Sequence, residues 1–177
     1  MLPRRIHPSP RYAAFLGILL LFSTACVDGK TRMYRGMIEN KGHDFSEKHF
    51  LVFGTIGKIE LLDWYIKAGI DVNARSDRGT TALMNTLIGP RGDEIERLRM
   101  LIDAGADVNV EAEQGMTALK AAIINDNAKA VRLLIDSGAD VSESGRTSPL
   151  RLAESHVSIG RRSDDIVTML RDAGAVE

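Results

Sequence analysis

One cysteine, one tryptophan and four histidines stand in a chain of 177 residues. A single thiol cannot close an internal disulfide, so the fold must hold by packing alone. Beyond residue 25 the histidines are His43, His49 and His156, scattered along the chain and without a repeated acidic partner. No His-x₃-His or Cys-x₂-Cys spacing occurs, which excludes the usual metal-ligand patterns. There is no Gly-x-Ser-x-Gly elbow and no glycine-rich phosphate loop, so neither a serine nucleophile nor a nucleotide cradle is expected. The Asp-Val-Asn triplets at 71–73 and 107–109 lack the further acids and glycine of a calcium loop and read as turns. These absences point to a chain that is no enzyme and carries no cofactor or metal. Long hydrophobic runs are missing as well. The longest, Ala13 to Phe22, has 10 residues, against about 20 for a membrane span.

What precedes residue 26 reads as an address. Arg4, Arg5 and Arg11 come first, then that apolar run, then Ser23-Thr24-Ala25. A basic start, a short apolar core and small residues make the layout of an export signal over residues 1–25. Its removal takes three arginines from 23 basic residues, leaving 20 against 24 acids. A chain without a basic excess is no candidate for nucleic-acid binding.

The only cysteine, Cys26, follows those small residues directly. This placement resembles the lipobox of bacterial lipoproteins, in which the cysteine is lipidated and becomes the new N-terminus. The resemblance covers four residues and departs from the pattern at Ser23, where leucine is usual. Ser-Thr-Ala also suits an ordinary signal peptidase, which would release a soluble periplasmic protein. As a lipoprotein the chain would be held in the bacterial envelope, facing the periplasm. Val27 in place of aspartate favours the outer membrane over the inner. Residues 26–45 read as a lipidated end and a tether, with one short helix around Met33 to Glu39. If flexible, such a segment reaches roughly 20–25 Å.

From residue 46 the sequence repeats. Gly69, Gly105, Gly138 and Gly174 stand 36, 33 and 36 residues apart, a period that belongs to solenoids. In the third copy Thr117 should cap a short helix from Ala118 to about Ile124. Asn125-Asp126-Asn127 should break it and cap a second helix, Ala128 to Ser137, with Val131, Leu134 and Ile135 on one face. Gly138 then supplies the left-handed conformation that ends a helix.

This pattern resembles the ankyrin repeat, two antiparallel helices followed by a protruding hairpin loop. The family's Thr-Pro-Leu-His box corresponds to Thr81-Ala82-Leu83-Met84, Thr117-Ala118-Leu119-Lys120 and Ser148-Pro149-Leu150-Arg151. Its Gly-Ala-Asp-Val-Asn ending corresponds to 105–109 and, nearly, to 138–142. The resemblance implies an all-α solenoid of about four repeats, near 46–75, 76–110, 111–142 and 143–177. The box histidine is absent from every copy, so a hydrogen bond that tightens the family's hairpins is expected to be missing. Phe50 takes the place of Leu83, Leu119 and Leu150 in a first copy that lacks the threonine box. From these residues to the terminal glycines the distances are 19, 22, 19 and 24, so copies two and four carry three and five extra residues. Trp64, Met100, Leu133 and Met169 share one register, five residues before each glycine, and read as core.

Two surfaces are candidates for binding. The resemblance implies recognition along the hairpin tips, with Arg75, Arg78, Glu113, Glu143 and Arg146 as contact residues. The extra residues of copies two and four form loops between paired helices, bearing Arg91 in one and Arg161 and Arg162 in the other. Those loops should lie about 20 Å apart on one edge. Asp93 and Ser163 sit where helix caps belong, and solvated insertions with caps explain the loops adequately. The expected function is a monomeric, envelope-anchored module that grips another protein. That partner would be a toxic enzyme acting in the periplasm, which the chain neutralises, or a resident envelope enzyme, which it assists. The alternative is a structural envelope lipoprotein without a dedicated partner.

Overall fold

Thr81 and Thr117 stand in extended backbone, and their hydroxyls accept hydrogen bonds from the amides of Met84 and Lys120 at 3.4 and 3.3 Å. Ser148 does the same for Arg151 at 3.2 Å. Each bond satisfies an amide that the first helical turn leaves orphaned, so the box residues set where the first helix of each copy begins. Asn127 caps the second helix of copy three by accepting from the Ala130 amide. Gly69, Gly105, Gly138 and Gly174 all adopt φ between +78° and +92°, each two residues beyond the end of a helix. That is the left-handed conformation glycine reaches without steric cost.

The computed structural model describes residues 29–175 apart from 57, 90, 143–147 and 159–163. Helix α1 covers residues 29–40. It is followed by α2 (Glu47–Ile56), α3 (Ile59–Lys67), α4 (Ala82–Ile88), α5 (Glu94–Asp103), α6 (Ala118–Ile124), α7 (Ala128–Asp136), α8 (Pro149–Ser158) and α9 (Asp164–Asp172). A single 3₁₀ turn, Glu113–Gly115, lies between α5 and α6. No strand occurs among the described residues; one isolated bridge joins Ala112 to Met116. No described helix is long and apolar enough to cross a membrane.

The helices stack in two layers. The inner layer runs α2, α4, α6, α8 and the outer layer α3, α5, α7, α9, with each pair in mutual contact. One repeat cannot bury its apolar face alone, so the core forms between copies. Phe50, Leu83, Leu119 and Leu150 are all buried in the inner layer, as their shared register required. In the outer layer the fully buried register is Tyr65, Leu101, Leu134 and Leu170. It lies one residue after the positions read as core. Trp64, Met100, Leu133 and Met169 are only partly buried, and Trp64, Leu133 and Met169 pack at the margin of the core, because a one-residue step turns a side chain by about 100°.

The first copy is capped by residues whose sequence reads as a tether. Ile38 of α1 is fully buried and Tyr34, one turn earlier, packs on the core. Phe45 stacks on Tyr65 with ring centroids 5.5 Å apart, and the Tyr65 hydroxyl donates to the Asp44 carbonyl. Burial first, and the Asp44 carboxylate second, push the Tyr65 phenol up to about 12. An end repeat has no neighbour on one side, and α1 with the following turn covers that side here. His43 and His49, scattered in sequence, come within 6.5 Å and both lie against the Phe53 ring.

The second copy holds an arginine where the others place Leu61, Ala130 and Ile166. Arg97 is fully buried, and its Nη1 lies 2.9 Å from Asp93 Oδ1. Asp93 does occupy the N-cap of α5, yet its side chain makes no cap hydrogen bond. Its carboxylate is turned to the guanidinium one helical turn on, because a buried cation needs a counter-charge more than an exposed amide needs a cap.

Candidate partner-binding surface

Between the outer helix of one copy and the inner helix of the next, the chain projects a finger. In the first, Ser76 and Thr80 close the turn: the Ser76 amide donates to the Thr80 carbonyl at 2.9 Å, and their hydroxyls meet at 2.7 Å. In the second, the Ala112 amide donates to the Met116 carbonyl at 2.8 Å. The aspartates at each finger's base do turn work. Asp71, Asp107 and Asp140 accept from the amides of Asn73, Asn109 and Ser142 at 2.8–2.9 Å, as an Asx turn requires. The Ser142 hydroxyl and then its amide hold the Asp140 carboxyl below its usual range.

A side-chain ladder ties finger to finger. Asn73 donates to the Gly105 carbonyl at 3.2 Å and accepts from the Asp107 amide at 2.8 Å. Asn109 repeats the pair with Gly138 and Asp140, at 3.0 and 2.8 Å. The terminal asparagine of the repeated phrase is therefore a rung, spanning one repeat to the next. Ser142 stands at the next such position, and its shorter hydroxyl turns back to Asp140 at 2.7 Å. Asn109→Ala should lower stability by about 1 kcal/mol, since two solvent-exposed hydrogen bonds are lost. A urea midpoint identical to that of the unaltered chain would contradict the rung.

Of the residues expected at the tips, Arg75 is exposed and also engaged within the stack. Its Nε donates to the Gly79 carbonyl at 3.3 Å and its Nη2 to the Glu111 carbonyl of the next finger. Arg78 and Glu113 are exposed and adjacent, the Glu113 amide donating to the Arg78 carbonyl at 3.1 Å. Glu143 and Arg146 lie outside the described residues. The structure thus brings Arg78 and Glu113 together at the tips of neighbouring fingers, with Arg75, Asp77 and Gln114 also exposed.

The floor below the first finger is not evident in the sequence. A groove of about 490 Å³ runs between α2 and that finger, lined by Glu47, Lys48, Val52, Arg75, Asp77 and Asn85 among others. Val52 is 44% exposed there. The groove offers both charge signs around an apolar patch, which suits a mixed protein surface. Its only sequence signal is that Val52 falls on the α2 face opposite Phe50 and Phe53.

The first loop of the helix-connecting edge is braced from within. Arg91 is exposed but committed, its Nη2 donating to the Asn125 carbonyl at 2.6 Å. Glu94 fastens the same loop, accepting from the Gly92 amide and from Asn127. Burial pushes the Glu94 carboxyl up, and these bonds, with Arg97 nearby, bring it below its usual value. Arg161, Arg162 and Ser163 lie outside the described residues, as does Cys26. The edge does present Ile56, Ile88 and Ile124, the last residues of α2, α4 and α6, at 46%, 65% and 38% exposure.

The hydrogen bond expected to be missing from the box is replaced in copy three. Lys120 stands where the family has histidine, is buried, and its Nζ donates to the Gly115 carbonyl at 2.6 Å. Among the described residues no three His, Cys, Asp or Glu side chains gather as metal ligands would.

Comparison with curated proteins finds no match. The family model for ankyrin repeats, in three copies, matches residues 49–145 and, overlapping, 90–175. Together these cover most of the chain and coincide with the two-layer stack and its laddered fingers: the chain belongs to the ankyrin-repeat family.

Proposed function

We propose that this chain is an envelope lipoprotein, anchored through Cys26, whose ankyrin stack grips a protein partner along the finger tips and the groove beneath them. Ankyrin repeats suggest a protein-interaction module, and such modules are generally not enzymes. The observation that carries the choice of surface is the ladder. Asn73 and Asn109 lock successive fingers together, while Arg78 and Glu113 are left exposed at the tips. A rigid frame bearing exposed charged groups binds at a lower entropic cost than mobile loops. Anchoring rests on the sequence alone: a unique cysteine directly after an export signal. The partner is a protein that reaches the periplasm. A toxin encoded beside the chain makes it an immunity protein, and a neighbouring envelope enzyme makes it that enzyme's accessory.

One experiment carries both parts. Cells expressing the chain are fed radiolabelled palmitate, and their envelope proteins are then crosslinked and pulled down on it. The expected result is label in the unaltered chain and none in Cys26→Ser, with one discrete protein captured. A chain that takes up no label and appears in periplasmic extract is not a lipoprotein. Capture of no discrete protein leaves the structural alternative in its place.

A further inference from the structure

The capping helix α1 faces two ways. Tyr34 and Ile38 turn to the core, whereas Lys30, Arg32, Met33 and Arg35 are exposed, Met33 at 52%. Lys41, just after the helix, is exposed too. Among the described residues Lys30, Arg32 and Lys41 have no acidic partner, and Arg35 rests over the Phe45 ring at 4.3 Å. Residues 29–41 contain four cations against the single acid Glu39, whereas residues 42–177 contain 16 basic and 22 acidic side chains. The N-terminal cap is therefore a basic segment on a domain whose remainder is acidic.

That cap cannot lie far from residue 26. Only Val27 and Asp28 separate Cys26 from the first described helical residue, and three peptide steps span at most about 11 Å in any conformation. We infer that α1 docks on an anionic phospholipid surface, with Lys30, Arg32 and Arg35 facing the head groups and Met33 entering the interface. The inference deepens the lipoprotein reading and rests on it. A lipid chain beside a patch of exposed basic side chains supplies the two signals that stable membrane attachment requires. The stack then stands on its first repeat at the bilayer, and its later repeats point away from it. A flexible leash would leave it free to tumble instead.

The single thiol allows a direct test. Residues 26–177 carrying Met33→Trp and Trp64→Phe are coupled through Cys26 to a maleimide lipid. The carrier vesicles contain brominated acyl chains and either phosphatidylglycerol with phosphatidylcholine or phosphatidylcholine alone. On the anionic vesicles the introduced indole should be quenched about twofold or more. High salt should relieve the quenching, as should Arg32→Glu with Arg35→Glu; neutral vesicles should give none. Circular dichroism verifies folding, and slowed acylation of Lys30 relative to the exposed Lys129 provides a readout without substitutions in the helix. An unquenched indole on anionic vesicles, or equal quenching on neutral ones, would overturn the inference. Chemical coupling replaces the cell's own lipidation here. Failure to take up palmitate therefore condemns the anchor alone, and absence of quenching condemns the docking alone.

Discussion

Leu134→Ala should lower the free energy of unfolding by about 2–5 kcal/mol. Leu134 is fully buried in α7, in the register shared by Tyr65, Leu101 and Leu170. The loss combines the transfer energy of the missing methyl groups with the cavity left between copies three and four. In a stack whose copies touch only their neighbours, a weakened interior copy uncouples the two ends. The transition should therefore broaden as well as shift. Trp64 reports on copy one and circular dichroism on the whole chain, so the two curves should separate in this variant and coincide in the unaltered protein. A midpoint shift worth less than about 0.5 kcal/mol would place Leu134 outside the interface.

Gly54→Ala should also destabilise, by about 1–3 kcal/mol or more. In an ordinary helix this change gains up to about 1 kcal/mol, because alanine loses less backbone entropy on ordering. Here the sign reverses. A Cβ at Gly54 would lie 2.7 Å from the Ala82 carbonyl oxygen and 3.3 Å from its Cα. Both are backbone atoms, so relief requires moving the start of α4. The corresponding positions of copies two and three hold Leu87 and Ile123, which shows how closely α2 approaches its neighbour. Gly36→Ala is the control: it lies in α1, where an added methyl would meet nothing within 4 Å, and it should gain stability. Two glycine substitutions of opposite sign, read by urea denaturation, test the packing rather than helix propensity.

Gly54 also shows what the sequence does not display. The helix-ending glycines are legible because each closes a repeated phrase, and a positive φ is a local demand that glycine answers. Gly54 answers a demand from another helix, which no local pattern announces. The same holds for α1. Its weak periodicity reads as a tether because Tyr34 and Ile38 alone turn inward, too few to make a stripe. Helix boundaries in copy three can be read to within a residue because hydroxyl and amide caps mark them. In the outer layer the residues read as one register, Trp64, Met100, Leu133 and Met169, lie one position before the fully buried Tyr65, Leu101, Leu134 and Leu170, since most of these neighbours are both apolar. Only packing chooses between them. At the surface, Arg75 and Arg78 look alike in sequence and both are exposed, yet only Arg75 is tied by its side chain into the next finger. That difference depends on where the Glu111 carbonyl falls, a fact of the stack and not of the motif.

The central claim, that the fingers grip a partner, is tested most directly by photocrosslinking in the native envelope. A photoreactive residue is placed singly at Arg78, Glu113, Ile88 or Arg91, in a chain otherwise unaltered. The expected result is one discrete adduct, shared by the Arg78 and Glu113 positions and absent from Ile88 and Arg91. An adduct confined to Ile88 and Arg91, with the tips silent and the stack folded, would contradict it.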